Sequence, residues 1–296
     1  MLERFPPLAY GPLVAALVLA GQAGAALAGV EPPGGSRLGL SWATLGTTAL
    51  ATAAALAGFL QLRLLDEIQD EATDRLGRPA RPLPRGLVTA DELRRLALAA
   101  AAAGTLIVAA LGGPALVCYA LALVQIWLLA APGRRLNLPG GAVGDALGHS
   151  LIVPTMLAVG WAASAPLTAH PALALSLVVA WGAGLALEVG RKTVAAGEER
   201  LGITTYSGAV GRTGALALVA GCLAVTGGAS TALAAIIGAP VMVTVLPLAA
   251  VGGVMVGGFA AVAAGGRIGT PALRATVNAL VLAALLWPSL LAWVLR

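Results

Sequence analysis

The chain has 296 residues, of which 59% are hydrophobic and only 10% charged, and its mean hydropathy is +0.91. A water-soluble domain carries about 25% charged residues, so the composition excludes one and describes a single polytopic membrane domain over residues 1–296. The two cysteines, Cys118 and Cys222, fall inside apolar runs, which excludes a disulfide scaffold and a thiolate zinc site. The net charge of +5 matters through its placement, and no nucleic-acid partner is expected.

In chain order, apolar runs of spanning length cover residues 8–30, 40–62, 93–111, 114–131, 143–165 and 172–187. A seventh covers 212–227. The stretch 230–264 exceeds one span and contains Pro240 and Pro247, which kink or break its helix. The ninth covers 273–295. The first run is long enough to span, and no cleaved leader is expected. With the N-terminus in the cytoplasm, nine spans place sixteen of the eighteen basic residues on the cytoplasmic side, as the positive-inside bias requires. The fold expected is therefore all-α, a nine-helix membrane bundle.

The densest charge follows the second run. Asp66, Glu67, Asp70, Glu71 and Asp74 lie within nine positions, and Asp66, Asp70 and Asp74 recur every four residues. On a helix that spacing puts three carboxylates along one face. Such a ladder repels itself unless a cation sits on it, and hard oxygen donors in a row suit Mg²⁺. Arg75, Arg78, Arg81 and Arg85 follow, and guanidinium groups suit diphosphate oxygens. The prolines of this stretch end the helix. Thr89 and Glu92 form a T-x-x-E capping box that starts the next one.

A second charged segment follows the sixth run, with Glu188, Arg191, Lys192, Glu198, Glu199 and Arg200. Glu188 shares a helix face with Arg191 and Lys192. By topology both charged segments lie on the cytoplasmic side, over one shared mouth. Inside the spans, Asp145 and His149 form an i, i+4 pair, and ionisable groups there mark function by default. Gln125, Tyr119 and Asn278 read as bridges between helices. The tryptophans fit either interfacial anchors or walls of an apolar pocket.

These residues resemble a known family. Asp66-Glu67-x-x-Asp70-x-x-x-Asp74, followed by Arg78-Pro-Ala-Arg81-Pro-Leu-Pro-Arg-Gly86, is similar to the first signature of the UbiA superfamily of intramembrane prenyltransferases, which includes terpene cyclases. That signature runs N-D-x-x-D-x-x-x-D and then R-P-L-P-x-G. Here Asp-Glu replaces Asn-Asp. In the second signature, D-x-x-x-D before G-x-K-T, the first Asp falls on Val194 and the second on Glu198, with Gly202-Ile203-Thr204-Thr205 as the tail.

The resemblance implies a central apolar cavity and Mg²⁺ held by Asp66, Glu67, Asp70, Asp74, Glu188 and Glu198. It implies catalytic roles for Asp66, Asp70, Asp74, Arg191 and Lys192. Substrate contacts fall to Arg63, Arg78, Arg81, Arg191, Lys192, Tyr206 and His149. The implied reaction ionises an isoprenyl diphosphate and passes the prenyl cation to an aromatic or lipid acceptor, with diphosphate released; in a cyclase the substrate's own double bond captures the cation. Membrane lipid is the surrounding partner. The competing reading from residue types alone is a secondary transporter, which would place its ionisable groups near the bilayer midplane.

Overall fold

A computed structural model describes residues 7–30, 42–130, 142–199, 203–247, 249–250, 252–253 and 270–295. The described residues are helical or loop throughout, as the composition demands, because lipid leaves every backbone N–H and C=O to be satisfied within a helix. The helices are α1 (Pro7–Leu27), α2 (Trp42–Gln69), α3 (Glu71–Gly77), α4 (Ala90–Ala109), α5 (Gly113–Ala130), α6 (Ala142–Ser150), α7 (Ile152–Ala162), α8 (Pro171–Arg191), α9 (Tyr206–Ile236) and α10 (Thr270–Val294). Among the described residues six helices are long and apolar enough to cross a membrane, and Ala146–Ala162 is a shorter apolar stretch.

The observed helices match the expected runs with two differences. Residues 143–165 form two helices, α6 and α7, that meet at Leu151. The seventh run does not stop at 227; α9 continues through Gly227–Ser230 to Ile236. Glycine and serine weaken a helix in water, but in an apolar setting breaking it would orphan backbone groups. The helix ends where a real stop occurs, at Gly238 with φ +73 and Pro240 just beyond, the usual C-terminal pairing of these residues. Residues 241–247 are helical again, and of the eighth expected run residues 248, 251 and 254–264 lie outside the described residues. At 31 residues, α9 is about 46 Å long against a hydrocarbon layer of about 30 Å. A kink at Gly211 sets its first turn off from the rest of the helix.

Consecutive helices pack side by side, α1 on α2, then α4, α5, α7, α8, α9, α10 and back to α1, which closes a ring. Across the ring, α7 also touches α1 and α2. The α1–α7 crossing is a backbone contact: a Cβ at Gly160 would lie 2.6 Å from the Val18 carbonyl oxygen, and one at Gly21 would strike the Leu157 carbonyl. Small residues let helices approach this closely where lipid supplies no hydrophobic drive between them.

Polar side chains tie the helices together. Thr48 donates to Gln22 (2.8 Å) between α2 and α1. Thr155 donates to Gln125 (2.9 Å) between α7 and α5, which makes Gln125 the bridge the sequence suggests. Trp161 is fully buried, whereas Trp127 and Trp293 are exposed, so the tryptophans divide between core and lipid surface.

Candidate active site at one end of the bundle

The acidic ladder continues α2 beyond its last apolar turn. Asp70 N–H donates to the Asp66 carbonyl (2.9 Å), Asp74 to Asp70 (2.8 Å) and Arg78 to Asp74 (2.8 Å). The i, i+4 bonding thus runs through the α2–α3 junction and keeps Asp66, Asp70 and Asp74 on one side, as their spacing predicts. Gln69 donates to the Leu129 carbonyl (2.6 Å) and pins this end of α2 to the end of α5. After Arg78 the proline-rich segment folds into successive turns around buried Leu83. The Thr89–Glu92 capping box then opens α4.

That turn carries Arg81 back over the ladder. Its guanidinium hydrogen-bonds to Asp74, which is 1% exposed, and lies 4.0 Å from Asp70. Arg78 stands 3.8 Å from Asp74. Burial, reinforced by the charge of Arg191, pulls the Arg81 pKa down to about 10, so it stays protonated at neutral pH. Asp66 lies 3.8 Å from Arg63 and 3.4 Å from His149 Nε2 on α6. His149 thus reaches across to the ladder, while the side chain of Asp145, its expected i, i+4 partner, lies outside what the structure describes.

On the facing side, Glu188 receives Arg191 and Lys192, each at 2.6 Å. Glu188 therefore anchors two cations at the end of α8. Burial raises the Asp70 carboxyl above its ordinary value, with the Asp66 charge adding to the rise and Lys192 opposing it. The helix that carries His149 to Asp66, α6, also packs against α8, whose end carries Glu188, Arg191 and Lys192, so the two charged segments share one mouth.

The remaining candidates are placed less centrally. Glu67 is buried at 8% exposure. Glu198 is exposed on a single 3-10 turn, Ala196–Glu198. Tyr206 is buried at the start of α9, where its N–H donates to the Lys192 carbonyl (3.1 Å). Glu199 accepts from Thr205 (2.6 Å), the N-cap of α9.

Arg274 belongs at the mouth although no local pattern points to it: from α10 it donates to the Arg191 carbonyl (2.9 Å). The contact joins residues 83 positions apart. Two concavities, about 430 Å³ and 210 Å³, are lined by Leu87, Val88, Glu92, Leu93, Arg95 and Leu96, and by Ala26, Leu27, Ile237, Ala292 and Leu295. Neither contains a ladder residue.

The donor set bears on Mg²⁺ directly. Among the described residues no three His, Cys, Asp or Glu side chains converge as a metal cage. Mg²⁺ does not need one; it is usually held by one or two carboxylates together with substrate phosphates and water. Asp66 and Asp70 fit that role. They are one turn apart, partly open at 25% and 45% exposure, and electrostatically at odds with each other. Asp74 and Glu188 already have arginine and lysine partners.

A membrane ring whose charged mouth combines acids with arginines defines the class, and comparison of folds places it. No protein-family model matches the sequence, and no curated protein matches it. Solved structures do. A UbiA homologue from Aeropyrum pernix K1 superposes with a TM-score of 0.65 at 18% identity, covering 95% of this chain and 97% of the other. A UbiA homologue from Archaeoglobus fulgidus bound to GPP and Mg²⁺ gives 0.64 at 14% identity, covering 99% of both. A structure of digeranylgeranylglyceryl phosphate synthase gives 0.61 at 14% identity, covering 98% and 99%. The chain has the UbiA fold over nearly its whole length.

Proposed function

We propose that the protein is a Mg²⁺-dependent intramembrane prenyltransferase that acts on an isoprenyl diphosphate, as a single domain with its mouth on the cytoplasmic side. The observation that carries the reading is the pairing, at one end of an apolar ring, of two partly open carboxylates, Asp66 and Asp70, with Arg63, Arg81, Arg191 and Lys192. A neighbour of the same fold bound to GPP and Mg²⁺ supports it.

Asp66 and Asp70 would hold Mg²⁺ from one side, leaving its other positions to diphosphate oxygens and water. When bound, the metal neutralises charge that develops on the diphosphate as its C–O bond breaks. Arg81, fixed by Asp74, and Arg191 and Lys192, fixed by Glu188, are rigid donors for the departing diphosphate. The apolar ring beneath excludes water from the allylic cation, so the acceptor captures it. Collection of the ionisable groups at one end, rather than at mid-depth, separates this reading from a transporter.

The test is an incubation of the purified, reconstituted protein with geranyl diphosphate and Mg²⁺, with and without phenolic and lipid-alcohol acceptors. Diphosphate release that needs an acceptor, and is lost with EDTA and with Asp70→Asn, is the expected result. Cyclic products formed without an acceptor would replace transfer by cyclisation. Absence of both turnover and diphosphate binding would overturn the enzyme reading.

A further inference from the structure

We infer that the prenyl-tail pocket under the mouth is shallow, floored by Met156 seated in the notch of Gly58, at a depth that suits about two isoprene units. This rests on the prenyl diphosphate reading above.

Two independent paths give the depth. The Asp66–His149 contact at 3.4 Å ties α2 to α6 at the mouth. Gly58 lies eight residues back along α2, about 12 Å at 1.5 Å per residue. Met156 lies seven residues on from His149 along α6 and α7, about 10 Å by the same rise; the turn between them keeps helical bonding, Leu151 to Gly148 and Thr155 to Leu151. The paths meet. A Cβ at Gly58 would land on the terminal methyl of Met156, 3.6 Å from its sulfur and 3.5 Å from the Tyr119 ring. Met156 and Tyr119 are both fully buried. Here α2, α5 and α7 touch one another, so this contact closes the space between them.

A second crossing lies deeper. Gly160, eleven residues from His149 and so about 16 Å down, abuts the Val18 backbone. A methionine tip yields and a carbonyl does not, so Met156 is an adjustable floor above a fixed one. An isoprene unit adds four chain carbons, roughly 5 Å extended at C–C bonds of about 1.5 Å. Two units reach the first floor and three the second. The substrate class is therefore a C10 diphosphate, with C15 excluded chiefly by Met156 and C20 by the α1–α7 backbone contact.

The experiment measures binding of the C5, C10, C15 and C20 thiolodiphosphates, and of inorganic diphosphate, to the full chain in lipid nanodiscs with Mg²⁺. Wild-type affinity is expected to rise more than tenfold from C5 to C10, as buried methylenes require, and to gain nothing beyond. Met156→Ala should gain about tenfold for C15 and nothing for C20. Gly58→Ala, whose added methyl meets only the tip of a flexible side chain, should weaken C10 and spare C5.

An affinity that climbs through C20, or length profiles unchanged in both variants while inorganic diphosphate still binds, would overturn the floor and leave the enzyme reading intact. Failure of every analogue and of inorganic diphosphate to bind wild type would overturn both.

Discussion

Asp74 offers the sharpest test of how the mouth is built. If it locks the basic turn, removing it should cost stability and diphosphate grip while leaving the Mg²⁺ requirement almost unchanged. Breaking a buried ion pair typically costs about 3–5 kcal/mol. Here Arg81 is 14% exposed and keeps Asp70 at 4.0 Å, so the cost of Asp74→Ala falls to about 2 kcal/mol, near the value of one charged hydrogen bond. For a chain of this size that is a drop of about 3 °C in Tm, read by thermal unfolding in detergent.

Arg81→Met should cost more, because it removes the hydrogen-bonded guanidinium from a carboxylate that is 1% exposed and leaves Arg78 at 3.8 Å. The double variant Asp74→Leu/Arg81→Met should be less destabilised than the sum of Asp74→Leu and Arg81→Met, since the buried carboxylate and the guanidinium bonded to it are removed together. Strict additivity, or a Mg²⁺ requirement raised as much by Asp74→Asn as by Asp70→Asn, would refute the lock and return Asp74 to the metal.

Other outcomes follow from the same geometry. Asp70→Asn should lower turnover by about a hundredfold or more and abolish Mg²⁺-dependent diphosphate binding, by loss of one of two hard donors; near-wild-type turnover would remove Asp70 from the site. Lys192→Ala should weaken inorganic diphosphate about tenfold, as loss of one charge-assisted contact does, and a calorimetric titration reads it. Gly160→Leu should overpack the α1–α7 crossing against the Val18 backbone and destabilise by at least about 1–3 kcal/mol, measured by thermal unfolding. The Thr89 N–H holds the Glu92 carboxyl below its ordinary value of 4.5. The stabilisation by Glu92 is then present at neutral pH and lost as pH falls through that lowered value. The Tm difference between wild type and Glu92→Gln should shrink toward zero in strong acid and persist at pH 6–8, where a carboxylate near its ordinary pKa is ionised.

Much of the molecule was legible in the chain because its signals are local. Apolar runs report spans through length alone. The i, i+4 aspartates report a shared face because one helical turn is all the geometry involved. The Thr89–Glu92 box spans four residues and forms as read. The expected end of the seventh run at 227 is not a helix end, because a bundle in an apolar setting must satisfy its own backbone and α9 continues to Ile236.

Partnership was not legible. The spacing of Asp66, Asp70 and Asp74 makes them look equivalent, yet Asp74 is taken by Arg81 while Asp66 and Asp70 stay partly open. Glu188, an expected metal ligand by its charge, pairs with two cations, Arg191 and Lys192. His149 finds Asp66 on another helix, and Arg274 finds Arg191 from the far end of the chain.

The sequence by itself determined a membrane bundle, the order of its helices and the two charged segments at its mouth, because hydrophobic length and helical period act within a few turns. Only the tertiary structure decided which carboxylates stay available and where the ring closes beneath them. Those depend on guanidinium reach and backbone approach between segments tens of residues apart, and no spacing along the chain encodes them.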